Sequence, residues 1–192
     1  MNSAPRTASL WWYDLQQSLK GSFTARAHGL RLTTKFALLN SEGKNFGQLR
    51  LRGLSIAEFE SGDRAAVLTH TEGRYRMVAE GEEILNATPK GQSVDKLEIS
   101  CGGRTYEARV SFFRNVAVAS YGRGGGRAAH VSGGLVGRSY QVIFAPEDGC
   151  ALPAAIFLLW HVAANRRRAY RMGRPMGRGA TQRALRRGLA PW

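Results

Sequence analysis

The sequence predicts a mainly β protein, an antiparallel sheet closed around its own apolar C-terminal helix, with a short helix ahead of the strands. Three observations carry this. Apolar and polar residues alternate with period two through most of residues 22–144, the signature of half-buried strands. Turn-forming clusters recur between those runs at the spacing of a sandwich or barrel. The stretch CALPAAIFLLWHVAANRRR, beginning at Cys150, is apolar on every face of a helix up to Ala164, His161 excepted, and such a helix must be surrounded.

Taken in order, SLWWYDLQQSLKG places Trp11, Leu15 and Leu19 on one helical stripe that Trp12 widens. Ser9 suits its start, and Lys20 and Gly21 suit its end. It reads as a helix packed on the sheet, closing one end. The strands follow. In GLRLTTKFALL, Leu30, Leu32, Thr34, Phe36 and Leu38 share one face. In RTYEARVSF, Tyr106, Ala108, Val110 and Phe112 do the same, and FGQLRLRG, RYRMVAE, VDKLEIS and YQVIF repeat the pattern. NSEGKN, ESGDR, TEG, ATPKGQS, CGG and YGRGGGR separate them. Roughly ten or eleven strand-like segments result, and one wet face per strand implies antiparallel pairing.

Length decides what surrounds the apolar helix. About 13 to 15 residues span roughly 20–22 Å, short of the ~30 Å hydrocarbon core of a bilayer. That span matches the height of a barrel with strands of about six or seven residues. Leu152, Ile156, Phe157, Leu158, Leu159 and Trp160 are therefore the expected core of the helix, which should run over about 152–165. Pro153 suits its first turn, Asp148 its positive end and Arg166–Arg168 its negative end.

The chain divides into an N-terminal helix (1–21), the barrel with its central helix (22–165) and a basic tail (166–192). Its 43% hydrophobic content is that of a folded chain. The formal charge of +14 is mostly the tail's: nine arginines and no acid follow Asn165, leaving +5 for the rest. Two cysteines, Cys101 and Cys150, are too few for a disulfide framework, so a reduced, cytoplasmic setting is expected, with a single bridge between them left open. No basic segment followed by an apolar one marks the start as a signal peptide.

Many strands, then YQVIF, the acidic turn APEDGC and a wholly apolar helix together resemble the tubby C-terminal-like superfamily, which includes tubby proteins, phospholipid scramblases and LURP-one-related proteins. The resemblance covers about residues 22–164. It implies a barrel of about twelve strands around a hydrophobic C-terminal helix, and it brings anionic phospholipid into view as a ligand. It does not bring the scramblases' calcium, because Glu147 and Asp148 alone offer too few hard oxygen ligands.

Catalytic constellations are missing. His28, His70, His130 and His161 show no metal-ligand spacing, and His161 reads as a core histidine. No G-x-S-x-G elbow is present. Cys101 has no neighbouring histidine or helix start to lower its pKa. YGRGGGR lacks the lysine and the following helix of a P-loop. Neither an enzymatic activity nor a cofactor is expected.

What remains is the tail. Arg166, Arg167, Arg168, Arg171, Arg174, Arg186 and Arg187 are the candidate anion-binding residues, since guanidinium forks hold phosphate oxygens in pairs. Glycine and proline argue against one continuous helix there. The expectation is a barrel that binds anionic lipid or associates peripherally with the inner face of a membrane. The alternative is an RNA- or ribosome-associated protein using the tail on a phosphate backbone, and a purely solvating tail explains the charge equally well.

Overall fold

In the computed structural model, residues 7–28, 35–91, 95–122, 125–134 and 138–172 are described, with side chains from Trp11 to Arg168. Helix α1 (Thr7–Leu19) precedes twelve strands: β1 (Ser22–Ala27), β2 (Lys35–Leu39), β3 (Asn45–Arg52), β4 (Ile56–Ser61), β5 (Arg64–Thr71), β6 (Arg74–Ala79), β7 (Glu82–Pro89), β8 (Lys96–Cys101), β9 (Arg104–Ser111), β10 (Val116–Tyr121), β11 (Arg127–Gly133) and β12 (Ser139–Phe144). Helix α2 (Ala151–Met172) follows. Each strand pairs antiparallel with its neighbours in sequence, and β1 pairs with β12, so the sheet closes. The sequence-predicted barrel with a central C-terminal helix and a short N-terminal one is the observed fold.

The hairpins owe their tightness to local chemistry. Glu72–Gly73, Glu80–Gly81 and Gly102–Gly103 each place two successive residues at positive φ, the two-residue turn whose twist matches the strands it joins. Because the sheet goes strictly up and down, alternate turns lie at the same end. The segments 40–44, 62–63, 80–81, 102–103 and 145–150 cluster at one end with the C-terminal end of α1. The segments 53–55, 72–73, 112–115 and the start of β8 cluster at the other.

Eight strands leave a barrel interior that side chains alone fill; twelve leave room for a helix. Residues 151–164 of α2 are all buried, as are the strand residues that face them. The helix lies closest to β10, β11 and β12, where Ala117, Ala119 and Ala129 line the wall. Small residues there let the helix backbone approach. Across the interior, larger side chains fill the gap: Phe59, Leu49, Leu68 and Met77 are fully buried. Trp11 and Trp12 of α1 stack on one another at 4.1 Å, and Trp12 stacks on Phe59 at 5.2 Å. The aromatic cluster of α1 is packing material for the barrel.

The helix departs from the sequence expectation at its C-terminus. It runs on to Met172, well beyond the expected end near 165, because arginine, alanine and methionine are good helix formers. The first glycine after the apolar run is Gly173. At 1.5 Å per residue α2 is about 33 Å long, against about 17–26 Å for the strands around it. The last turns therefore stand beyond the rim. No helix among the described residues is long and apolar enough to cross a membrane.

Candidate anion-binding surface at the helix-exit end

The two ends of the barrel differ in construction. At the end where α2 begins, Asp148 is buried and triply engaged. It forms a 2.8 Å ion pair with Arg104, accepts a 2.7 Å hydrogen bond from the Tyr106 hydroxyl, and accepts the Cys150 amide at 3.1 Å. Burial, then the Asp148 carboxylate, raises the pKa of Tyr106, and the same causes push Tyr121 up to about 12. Gln16 of α1, also fully buried, donates to the carbonyls of Pro146 and Asp148 at 2.8 Å each. Its Oε1 accepts the Leu152 amide at 3.2 Å. Two otherwise orphaned amides at the start of α2 are thus capped by side chains. The sequence points to Asp148 here as a dipole partner; it does not point to Arg104, Tyr106 or Gln16.

The opposite end, from which α2 emerges, is basic and open. Arg26, Arg52, Arg74, Lys90, Lys96 and Arg114 are exposed at or near this rim. Of the acids, Glu72 and Asp95 lie in its described turns. Some of the cations are engaged with the wall: Arg52 pairs with Glu58 at 2.6 Å and Lys90 with Glu107 at 2.8 Å. Among the described residues Arg26, Lys96 and Arg114 have no acidic partner. The end closed by α1 carries Asp14, Glu42, Asp63, Glu80 and Glu147 exposed beside a matching set of cations, Lys20, Lys44, Arg64, Arg104 and Arg127. The barrel is electrically polar along its axis.

Phe113 stands fully exposed at the tip of the β9–β10 turn, next to Arg114. The turn is held firmly. Asn115, buried and at φ 55°, donates its side-chain amide to the Gly134 carbonyl at 3.0 Å. Its own carbonyl accepts the Gly133 amide at 2.8 Å. Any larger residue at Gly133 would have to displace these groups, since a Cβ there would lie 2.0 Å from the Asn115 amide nitrogen and 2.6 Å from the Tyr140 ring. One exposed aromatic ring is thereby presented on a rigid support, flanked by charge.

A groove of about 810 Å³ runs along the outer wall from this rim, lined by Lys90, Lys96, Glu107, Arg109 and Ser120 among others. Lys96 and Arg109 face one another directly across β8 and β9, and like charges so placed repel.

The residues singled out from sequence fall into three groups. Leu152, Ile156, Phe157, Leu158, Leu159 and Trp160 are buried inside the barrel. Arg166, Arg167 and Arg168 lie on α2 at the rim. Arg167 is 9% exposed and donates to the Gly53 carbonyl at 3.4 Å, so it fastens the helix to the β3–β4 turn. Arg168 lies near His70, whose pKa is held below the usual histidine value by burial and by that charge. The Arg171 side chain and all of Arg174, Arg186 and Arg187 lie outside the described residues. His161 is buried against Tyr75, Phe112 and Phe157, a core histidine. Among the described residues no three His, Cys, Asp or Glu side chains gather to hold a metal ion.

No protein-family model matches the chain, and no curated protein matches it. In fold it is similar to a protein from Arabidopsis thaliana of known X-ray structure, at a TM-score of 0.50 and 12% sequence identity. The match covers 72% of this chain and 90% of that one.

Proposed function

We propose that this protein is a non-enzymatic barrel of the tubby C-terminal-like superfamily that docks peripherally on an anionic membrane surface, on the cytoplasmic side, through the end from which α2 emerges. The observation that carries the proposal is the pairing of a ring of exposed cations with one rigidly held, fully exposed Phe113. Basic residues near an anionic bilayer contribute about 1 kcal/mol each, and a phenylalanine leaving water adds about 1.5–3 kcal/mol when fully buried. Lys96 and Arg109 at the mouth of the groove repel one another, and a phosphate between them would relieve that repulsion. Arg166, Arg167 and Arg168 of α2 come to the same end and add to its charge.

The test is flotation of the nuclease-treated full chain with neutral phosphatidylcholine vesicles and with vesicles containing phosphatidylserine. Flotation with the anionic vesicles alone, retained when RNA is added and weakened in Phe113→Asp, is the expected result. Absence of flotation, or complete displacement by RNA, would transfer the basic end to nucleic acid.

A further inference from the structure

The end of the barrel that lacks the basic ring holds a feature unrelated to lipid. Cys101 ends β8 and is buried; Cys150, half-buried, immediately precedes α2. They are far apart in sequence, but the Cys150 thiol donates to the Cys101 carbonyl at 3.1 Å, and each thiol is close enough to shift the titration of the other. The intervening turn is built to admit the sulfur. Gly102 is at φ 55°, and a Cβ there would lie 2.8 Å from Cys150 Sγ. Both the backbone conformation and the space call for glycine at this position.

We infer that Cys101 and Cys150 form a reversible dithiol–disulfide site, oxidised by a peroxide, with Cys150 as the attacking sulfur and Cys101 as the resolving one. The assignment of roles follows from access and charge. Cys150 is the more exposed of the two, and its pKa is lowered by the neighbouring Cys101 thiol, while the Cys150 thiol and burial raise the pKa of Cys101. The carboxylate beside Cys150, Asp148, carries its own counter-ion in Arg104. In the first step the Cys150 thiolate attacks one peroxide oxygen, the O–O bond breaks, and the departing hydroxide takes a proton to become water. Cys150 is left as the sulfenic acid. In the second step Cys101 sulfur attacks the Cys150 sulfur, the S–O bond breaks, and a second water leaves with the Cys101 proton. Two electrons have passed from the sulfurs to the peroxide. A thiol reductant reverses the bond by exchange.

The disulfide would tie the β8–β9 turn to the first turn of α2, closing a loop of about fifty residues, and a crosslink of that length raises the melting temperature by roughly 5–10 °C.

The experiment treats the reduced full chain with a small excess of hydrogen peroxide, alkylates it in denaturant and measures intact and peptide masses. The expected result is loss of both titratable thiols, a Cys101–Cys150 crosslinked peptide, and restoration by dithiothreitol. Cys101→Ser should stop at a sulfenic acid on Cys150, trapped by dimedone; Cys150→Ser should react more slowly than the wild type by at least tenfold. Two free thiols persisting in the wild type, or over-oxidation of Cys150 without a crosslink, would overturn the inference. The wild-type peptide map is decisive even if a variant fails to fold. The outcome is independent of vesicle binding.

Discussion

The two ends of this barrel use charge in opposite ways. Where α2 begins, Asp148 and Arg104 neutralise one another, and Gln16, Tyr106 and backbone groups account for the remaining hydrogen-bonding capacity. Where α2 leaves, Arg26, Lys96 and Arg114 stand exposed with no acidic partner among the described residues. Charge that is buried and saturated holds a fold together, because leaving it unpaired is so costly. Charge that is exposed and repetitive contributes little to stability but creates a field that a partner can feel. The closed end is therefore read as structural and the open end as the face that meets something else.

The largest effect is expected from breaking the closed end. Asp148→Ala strands the Tyr106 hydroxyl and removes the buried partner of Arg104. Arg104 is exposed and hydrates, so the loss comes from the Tyr106 hydroxyl and the Cys150 amide, at about 1–3 kcal/mol for each buried donor left unsatisfied. Urea unfolding measures it. The folded fraction should still float with anionic vesicles, since nothing at the opposite rim has changed. Loss of binding by the folded fraction would show that the two ends are not separable.

Charge reversal at the open end should give the converse. Lys96→Glu combined with Arg114→Glu is expected to weaken vesicle binding at least tenfold, given about 1 kcal/mol for each basic residue at the surface. Stability should change by less than about 0.5 kcal/mol, as for other exposed substitutions. The carboxylate that Lys96→Glu introduces would even face Arg109 favourably across the strand pair. A large drop in stability would mean that these cations are structural after all.

Much of this architecture is legible in the sequence because its periods are simple. Alternation in RTYEARVSF puts Tyr106, Ala108 and Val110 on one face, and all three are buried. The apolar run is too short for a bilayer and long enough for a barrel, and it lies inside one. The closed end is not legible, because Asp148 meets Arg104 and Gln16 only after the chain has gone most of the way round. The same holds for Cys101 and Cys150: no spacing rule brings two such distant thiols together. The polarity of the barrel lies within reach of the sequence. In an up-and-down sheet alternate turns share an end, so comparing the charges of odd and even turns exposes it. Taking the charged run after Asn165 as a boundary ends α2 too early, since arginines continue a helix readily until glycine intervenes.

A smaller effect tests how the open end presents its aromatic tip. Asn115→Ala removes the amide bond to Gly134 and places a less tolerant residue at φ 55°. The expected cost is about 1–2 kcal/mol, with vesicle binding weakened severalfold because Phe113 is no longer held out. Asn115→Gly keeps the backbone conformation but not the amide. If both variants bind vesicles as the wild type does, the rigidity of the turn is irrelevant to docking.

The smallest effect sits where α2 crosses the rim. His70 stacks on Tyr75 at 4.1 Å, and its pKa is lowered first by burial and then by the Arg168 charge. An unfolded histidine titrates at about 6.5. The lowered folded value means that the unfolded chain binds the proton more readily, so this contribution to stability is present above about pH 6.5 and is lost as pH falls through the folded pKa. His130 is lowered as well, by burial and by Arg127, so the His70→Gln variant is needed to separate the two. Docking sharpens the contrast. Anionic lipid at the open end would screen Arg168 and move the His70 pKa back toward about 6.5, whereas Arg127 begins β11 at the closed end and His130 should hardly respond. Following both imidazoles by NMR, with and without anionic vesicles, reads the direction of docking from within the protein. An upward shift at His70 alone places the membrane at the end where α2 emerges. Equal shifts, or a shift at His130 alone, would place it elsewhere on the barrel.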